Sequence, residues 1–490
     1  MNYSPAMNAP VLPPDLRERR EQAYRAFIGV LDPWLLAHDI DRDSDAELLA
    51  LTEQEIVSEA MRQVYRVMTD GAERTDRMAY LQNVPDPSPA WKQAARFGLS
   101  LLGRHAHYRP PALFRPDRDI CVFHRSAITS AYAEQRNVEP CLMTHGDWFS
   151  PSPEAAKRGA PLNAEIERLL THAMQKAFAA AGLDDVAAIG SSIRRFSGYA
   201  RWIDFHRAAL RAHQKRLPKE FWAATMGFPL HRILARAVLR SGGIVVGFDH
   251  GAGSGMYDWD YPARTEFGML SRFVTFAPAM ADGLRRNVGK CGGRFQSVEI
   301  EVLGAPRRGR ALAFSPSKAN RIVYVSRSYW GENFTSPPLD DNERLKDWQW
   351  RLLPALKKLG REVGFKAHPE DINTPAAQFR DVLGVTVHDG KFEESDWTDT
   401  IFVFDTTLSS TFPYALATGL PIVVFDTPHV PMRPDARELL ERRVALAPVW
   451  RDAEARLQTD WDSIPGLIDR AIATRDNSVL TTYYGIEFDS

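Results

Sequence analysis

From about Leu16 to Leu102 the chain sets apolar residues three and four positions apart between charges, as in "LRERREQAYRAFIGVLDPWLLAH" and "DAELLALTEQEIVSEAMRQVYRVMTD". That spacing predicts amphipathic helices, with Asp45 as a cap for the second. The pattern then shortens. Runs of strand-forming residues, "DICVFH" (119–124), "EPCLMTH" (139–145) and "VAAIGSS" (186–192), alternate with helical stretches such as "NAEIERLLTHAMQKAFAAAG". "GGIVVGFDH" (242–250), "SRFVTFAP" and "SVEIEVLG" continue the series. Such alternation predicts a parallel sheet. After the aperiodic "APRRGRALAFSPSKAN" it restarts with "NRIVYVSRS", a long helix, "REVGFKAH", "GVTVHD", "TIFVFD", a short helix and "LPIVVFD", and "DWDSIPGLIDRAIATRD" reads as a closing helix. The expected fold is α/β, two Rossmann-like domains facing a cleft with an N-terminal helical extension. The expected boundaries are 1–115 for the helical region, 116–305 and 306–450 for the two domains, and 451–490 for a helical tail.

Composition narrows this picture. A chain of 490 residues exceeds what one compact core accommodates. A net charge of -1, with 44% hydrophobic and 25% charged residues, provides no basic field for nucleic acid or acidic lipid. Cys121, Cys141 and Cys291 are odd in number and far apart, which argues against a disulfide framework or zinc ribbon and for a reducing cytoplasm. The polar, Pro-rich start lacks a signal-peptide core, and no apolar run reaches the ~18 residues of a membrane span, so any contact with an inner membrane is expected to be peripheral.

The candidate chemistry lies at strand ends, where open parallel sheets collect ligands. "REVGFKAHP" ends on Lys366 and His368, two residues apart and so on one face, with Pro369 holding the imidazole in extended backbone. A satisfied histidine at a loop start is the ordinary reading of an isolated His-Pro. The next unit changes the balance: "TIFVFDTTLSSTFPYALATGLP" follows a strand ending at Asp405 with five hydroxyls in the six positions 406–411 before a short helix. Capping by one Ser or Thr explains one hydroxyl; Ser409, Ser410 and Thr411 together suit a phosphate. Ser326 and Arg327 end the equivalent inner strand.

In the first array "GFDHGAGSGMYDWDYP" places Asp249 and His250 before Gly251, Gly253 and Gly255. The G-x-G-x-G spacing departs from the dinucleotide fingerprint, and the glycines suit either close approach to a ligand or a tight turn. His250 is the candidate base for an acceptor hydroxyl, with Asp249 or Glu266 as substitutes. His145 and Asp147 in "THGDWF" are acceptor-contact candidates beside Gly251 and Gly253. Asp258 and Asp260 in "DWD", and "GLRRNVGKC" (283–291), are weak metal and phosphate signals, and no metalloprotease, serine-esterase or kinase set is present.

His250-Gly251, His368-Pro369 and Ser409-Ser410 before "ALATGLP", in that order, resemble bacterial glycosyltransferases of the GT-B fold. The likeness is to CMP-sugar-dependent sialyltransferases and capsule Kdo (nonulosonate) transferases, and to CDP-glycerol glycerophosphotransferases. It covers mainly residues 240–430, and the acidic D/E-D-G base motif of sialyltransferases is missing. The resemblance implies a metal-independent enzyme without cofactor. It would use a nucleotide-sugar donor, CMP-activated before others, and a glycan, lipid-linked or protein acceptor, with no nucleic-acid partner. His368, Ser409 and Ser410 would contact the donor phosphate, Lys366, Thr411, Ser326, Arg327 and Asp405 would lie nearby, and a residue near His250 would act as base. A glycerophosphotransferase, a sugar-nucleotide epimerase or hydrolase, and a catalytically silent nucleotide-sugar-binding protein are the alternatives.

Overall fold

The computed structural model describes residues 16–68, 119–123, 126–143, 148–149, 159–211, 217–251, 253–291, 294–303, 307–308, 312–316, 319–327, 342–368, 375–426, 431–452, 456–474 and 476–487. Two parallel six-stranded sheets organise them. The first contains β1 (Ile120–Val122), β2 (Cys141–Leu142), β3 (Glu220–Ala223), β4 (Ile244–Phe248), β5 (Arg272–Thr275) and β6 (Glu299–Val302) in the order β2-β1-β3-β4-β5-β6. The two-residue β7 (Arg307–Arg308) leads to the second sheet, built from β8 (Arg321–Val325), β9 (Glu362–Lys366), β10 (Thr386–His388), β11 (Thr400–Phe404), β12 (Ile422–Asp426) and β13 (Ala445–Pro448). Its order, β10-β9-β8-β11-β12-β13, is that of the doubly wound dinucleotide folds. The strand order reverses at β1/β3 in one sheet and at β8/β11 in the other. The arrangement is that of two Rossmann-like halves.

The second sheet is covered on both faces, as parallel sheets require. Ile401 and Val403 of β11 pack with Ile322, Tyr324 and Trp348 on one side, while Phe402 and Phe404 pack on the other in a core that continues into the first half. The period of two along each strand assigns the faces. The long helix after β8, Asn342–Lys357, and the closing helix Ile464–Ala473 lie against this sheet.

The first half differs by a helical layer. Helices α1 (Leu16–Ala37) and α2 (Ser44–Met68) precede the sheet and α3 (Ala127–Gln135) follows β1; α4 (Ala164–Ala180) and α5 (Val186–Arg211) are inserted between β2 and β3. α1 packs on α2 and α4, α2 packs on α5, and α5 packs on α6 (Pro229–Arg240). The helical layer therefore joins residues assigned by sequence to two different regions, and the expected boundary at 115 lies outside the described residues. The expected strand at 186–192 is the start of α5. Ile189, Phe196, Tyr199, Ala200 and Ile203 are buried with helical spacing, so the longer period prevails over the local apolar run. Asp45 does not cap α2; Asp43 does, its Oδ1 accepting from the N–H groups of Asp45 and Ala46 at 2.8 and 3.1 Å.

α2 is the centre of this layer. Every residue from Ala46 to Tyr65 except Ala50 is buried, including four glutamates. Each is met by arginine. Glu47 accepts from Arg207, Arg236 and Arg240, Glu53 pairs with Arg294 at 2.5 Å, Glu55 with Arg232 at 2.5 Å, and Glu59 with Arg62 and Arg195 at 2.6 and 2.9 Å. Buried carboxylates persist only when paired in this manner, since the desolvation cost otherwise exceeds the gain.

The tail also divides. Helix Ile464–Ala473 belongs to the second sheet, but the π-helical turn Leu480–Tyr484 packs on the first half's helix Pro278–Gly289, and β14 (Ile486–Glu487) pairs in parallel with β7. Among the described residues no helix is long and apolar enough to cross a membrane.

Candidate functional site

The chain leaves β4 through a turn that Asp249 fixes. Its backbone N–H donates to Val274 O at 2.9 Å, extending the β4–β5 pairing by one residue. Its buried carboxylate accepts from Gly251 N–H at 2.8 Å and from the Thr275 hydroxyl at 2.9 Å. Gly251 has φ of 90°, which an L side chain adopts only with strain. Between them His250 is exposed. Of the two neighbours proposed as base, Asp249 thus serves the turn and His250 faces solvent.

Glu266 is engaged as well. It accepts from the Thr225 hydroxyl and from Met226 N–H, both at 2.8 Å, and holds the loop that follows β3. The remaining glycines pack against protein. A β-carbon at Gly253 would lie 2.9 Å from the Tyr484 hydroxyl, and one at Gly255 would lie 2.3 Å from Met280 O, so the helix Pro278–Gly289 and the tail occupy the space that the spacing suggested for a ligand. "GLRRNVGKC" is mostly that helix, and Asp258 and Asp260 are paired with Lys290 and with Arg25 and Arg264. Among the described residues no group of three or more His, Cys, Asp or Glu side chains could hold a metal.

The second carboxyl edge centres on the β8/β11 reversal. Register aligns Lys366 of β9 with Val325 of β8, and Val325 with Phe404 of β11. The residues just beyond are joined by buried hydrogen bonds. Tyr324 donates to Asp405 at 2.7 Å, Gln349 Nε2 donates to Tyr324 and to Ser326 at 3.1 Å each, and Ser326 donates to Arg327 O at 2.8 Å. Arg327 Nε lies 3.7 Å from Asp405. Ser326, Arg327 and Asp405 are therefore buried and engaged with this network at the strand ends.

Lys366 was expected to share a face with His368 toward a phosphate. Instead its ammonium donates to the carbonyls of Ala367 and Gly390 at 2.8 and 2.7 Å and is buried, and that burial pulls it below the usual lysine range against the opposing effect of Asp389 and Glu393. It steadies the β9 and β10 ends. His368 is half-buried two residues past β9, and Pro369 lies outside the described residues, as do His145 and Asp147.

The hydroxyl run divides its work. Thr406 accepts from Leu408 N–H at 3.1 Å and Ser409 from Thr411 N–H at 3.2 Å, both closing local turns. Thr407 is hydrogen-bonded to the hydroxyl of Tyr257 from the first half. Ser410 begins the helix Thr411–Ala417 with no side-chain cap bond and is exposed. A hydroxyl that accepts from an N–H, as at Ser409, keeps its own proton to donate.

These two edges meet. Tyr257 forms an antiparallel bridge with Met432, Asp258 N–H donates to Pro431 O, and Arg433 N–H donates to Met256 O, the last two at 2.9 Å. The Arg433 guanidinium adds a bond to Gly255 O, also at 2.9 Å. Burial pushes the Tyr257 phenol well above its ordinary range, so it stays protonated in that contact. A β-carbon at Gly251 would stand 3.8 Å from Pro413, in the first turn after Ser410. The His-Gly turn of one half thus abuts the helix that follows the paired serines of the other. Arg433 and Gln349 escape a strand-by-strand reading because each acts on a partner in another element; Tyr257 and Thr407 stood within quoted runs, but their pairing across the two halves leaves no local trace. No family model, curated protein or solved structure matches the chain.

Proposed function

We propose that this protein is a glycosyltransferase of GT-B architecture that moves a sugar from a nucleotide donor, CMP-activated nonulosonic acid or Kdo before others, to a hydroxyl of a glycan, lipid-linked or protein acceptor. The observation that supports the reading is the approach of Gly251, next to the exposed His250, to Pro413, three residues after the exposed Ser410. Transfer needs this division: a base for the acceptor hydroxyl on one wall and hydrogen-bond donors for the leaving phosphate on the other. His250 is the base. Ser409, Ser410, Thr411 and His368 are the phosphate donors, resting on the network of Ser326, Arg327 and Asp405. Asp249 orients the turn that carries His250, and Glu266 orients the neighbouring loop. The reading asks for no metal, because the donors to phosphate come from side chains.

The test is nucleotide release from CMP-, CDP-, UDP- and GDP-sugars, and from CDP-glycerol, with and without acceptor. Acceptor-dependent release of CMP is expected, with His250→Ala lowering turnover about 10²–10⁴-fold and Ser410→Ala and His368→Ala weakening donor use. Release without acceptor marks an epimerase or hydrolase, and saturable binding without turnover marks a silent binding protein; either result ends the transferase reading.

A further inference from the structure

Away from the two carboxyl edges, α2, α5 and α6 line a partly open pocket of about 70 Å³ whose wall includes Glu47, Arg207 and Arg236 and the exposed Arg211 and Arg240. A single water needs about 10–15 Å³ on this scale, so the space holds several waters or one small polyatomic ion. Four guanidinium groups here face one carboxylate. Arg207 and Arg211 lie one turn apart on α5, as do Arg236 and Arg240 on α6, and like charges at that spacing repel. Glu47 relieves three of them, accepting from Arg207 at 2.9 Å, Arg236 at 2.8 Å and Arg240 at 2.9 Å. Asp204 and Asp41 take further N–H groups of Arg207 and Arg236, at 2.7 Å each. The guanidinium groups still outnumber the carboxylates. Among the described residues Arg211 has no hydrogen bond or ion pair, and Arg207 Nε is buried with no partner. Basic side chains in the last turn complement a helix dipole, which accounts for Arg211 and Arg240 but not for Arg207 and Arg236 a turn further in.

We propose that this pocket is a phosphate-group site, distinct from the inter-sheet cleft. Planar guanidinium forks bind tetrahedral oxyanions with two parallel hydrogen bonds. Glu47 holds three of the forks in place from behind, while Arg211 and the outer side of Arg240 supply the donors that close on the ligand.

Orthophosphate titration by calorimetry tests this on the full chain, beside co-sedimentation with phosphatidylcholine vesicles carrying phosphatidic acid. Saturable binding of one orthophosphate is expected. Arg211→Ala and Arg240→Ala should each weaken it about tenfold, the worth of one charge-assisted hydrogen bond; Arg211→Ala, which removes no hydrogen bond among the described residues, should leave the melting temperature in phosphate-free buffer unchanged, whereas Arg240→Ala also withdraws two bonds from Glu47 and should lower it. Ser410→Ala with His368→Ala should leave it intact, which separates this site from the proposed transferase cleft. Binding of the vesicles alone, lost in the same arginine variants, supports the site with a lipid headgroup as its source. The proposal is overturned if neither probe binds, if binding survives both arginine substitutions, or if it disappears with the Ser410 and His368 changes.

Discussion

The two sheets have the same size and strand direction, yet the helical layer beside the first buries far more paired charge than the helices on the second. Trp348 and the residues around it form an apolar cluster against the second sheet, crossed by the hydrogen bonds of Gln349 and Tyr324. Beside the first, α2 buries charge as well as the apolar Leu48, Leu51, Ile56, Met61 and Val64, with Glu53, Glu55 and Glu59 set against Arg294, Arg232 and Arg62. Apolar packing tolerates rearrangement among side chains of similar volume. An ion pair does not, because the loss of one partner strands the other in low dielectric. The helical layer is thereby fixed in register by its arginines, while the second half is stabilised by area.

The largest break in this contrast is Arg232→Ala. It removes the guanidinium that Glu55 meets at 2.5 Å and that also reaches the carbonyls of Leu51 and Met226. A loss of about 3–5 kcal/mol is expected, read as faster hydrogen exchange across residues 44–68 with the second sheet unchanged. A double change, Arg232→Met with Glu55→Leu, should recover most of it; if the double variant is as unstable as the single, the pair contributes net stability and the contrast is wrong.

Next in size is a pH effect confined to the helical layer. His206 of α5 is surrounded by Phe149, Trp202 and Phe205, and burial lowers its pKa from 6.5 to about 4. The folded state then binds fewer protons than the unfolded one. Its contribution is complete above pH 6.5 and is lost as pH falls toward 4, to a total of about 3 kcal/mol. The stability of the wild type should fall by about that amount relative to His206→Phe as pH drops through that window; a difference that does not change with pH would contradict the assignment.

The smallest effect probes the seam between the halves. Tyr257→Phe deletes the hydrogen bond to Thr407 and should cost about 1 kcal/mol, visible as increased exchange at residues 405–411 and 431–433. No change at 405–411 would show that the two edges do not depend on this contact.

What the sequence determined by itself was local. Alternation and length located β1, β2, β4–β6 and β8–β12, because a buried parallel strand is a short apolar run wherever it occurs, and the glycine-histidine and serine turns followed at their ends. The strands "EFWA" (220–223) and "ALAP" (445–448) were not picked out, since neither contains a β-branched residue. The tertiary structure alone decided that α4 and α5 join α1 and α2, that Gly253 and Gly255 yield to Tyr484 and Met280, that Lys366 turns to carbonyls, and that β14 returns to β7. The physical reason is common to these. Periodicity reports which side of an element avoids water, but ion pairs, close backbone approaches and capped carbonyls depend on a partner whose distance along the chain leaves no local trace.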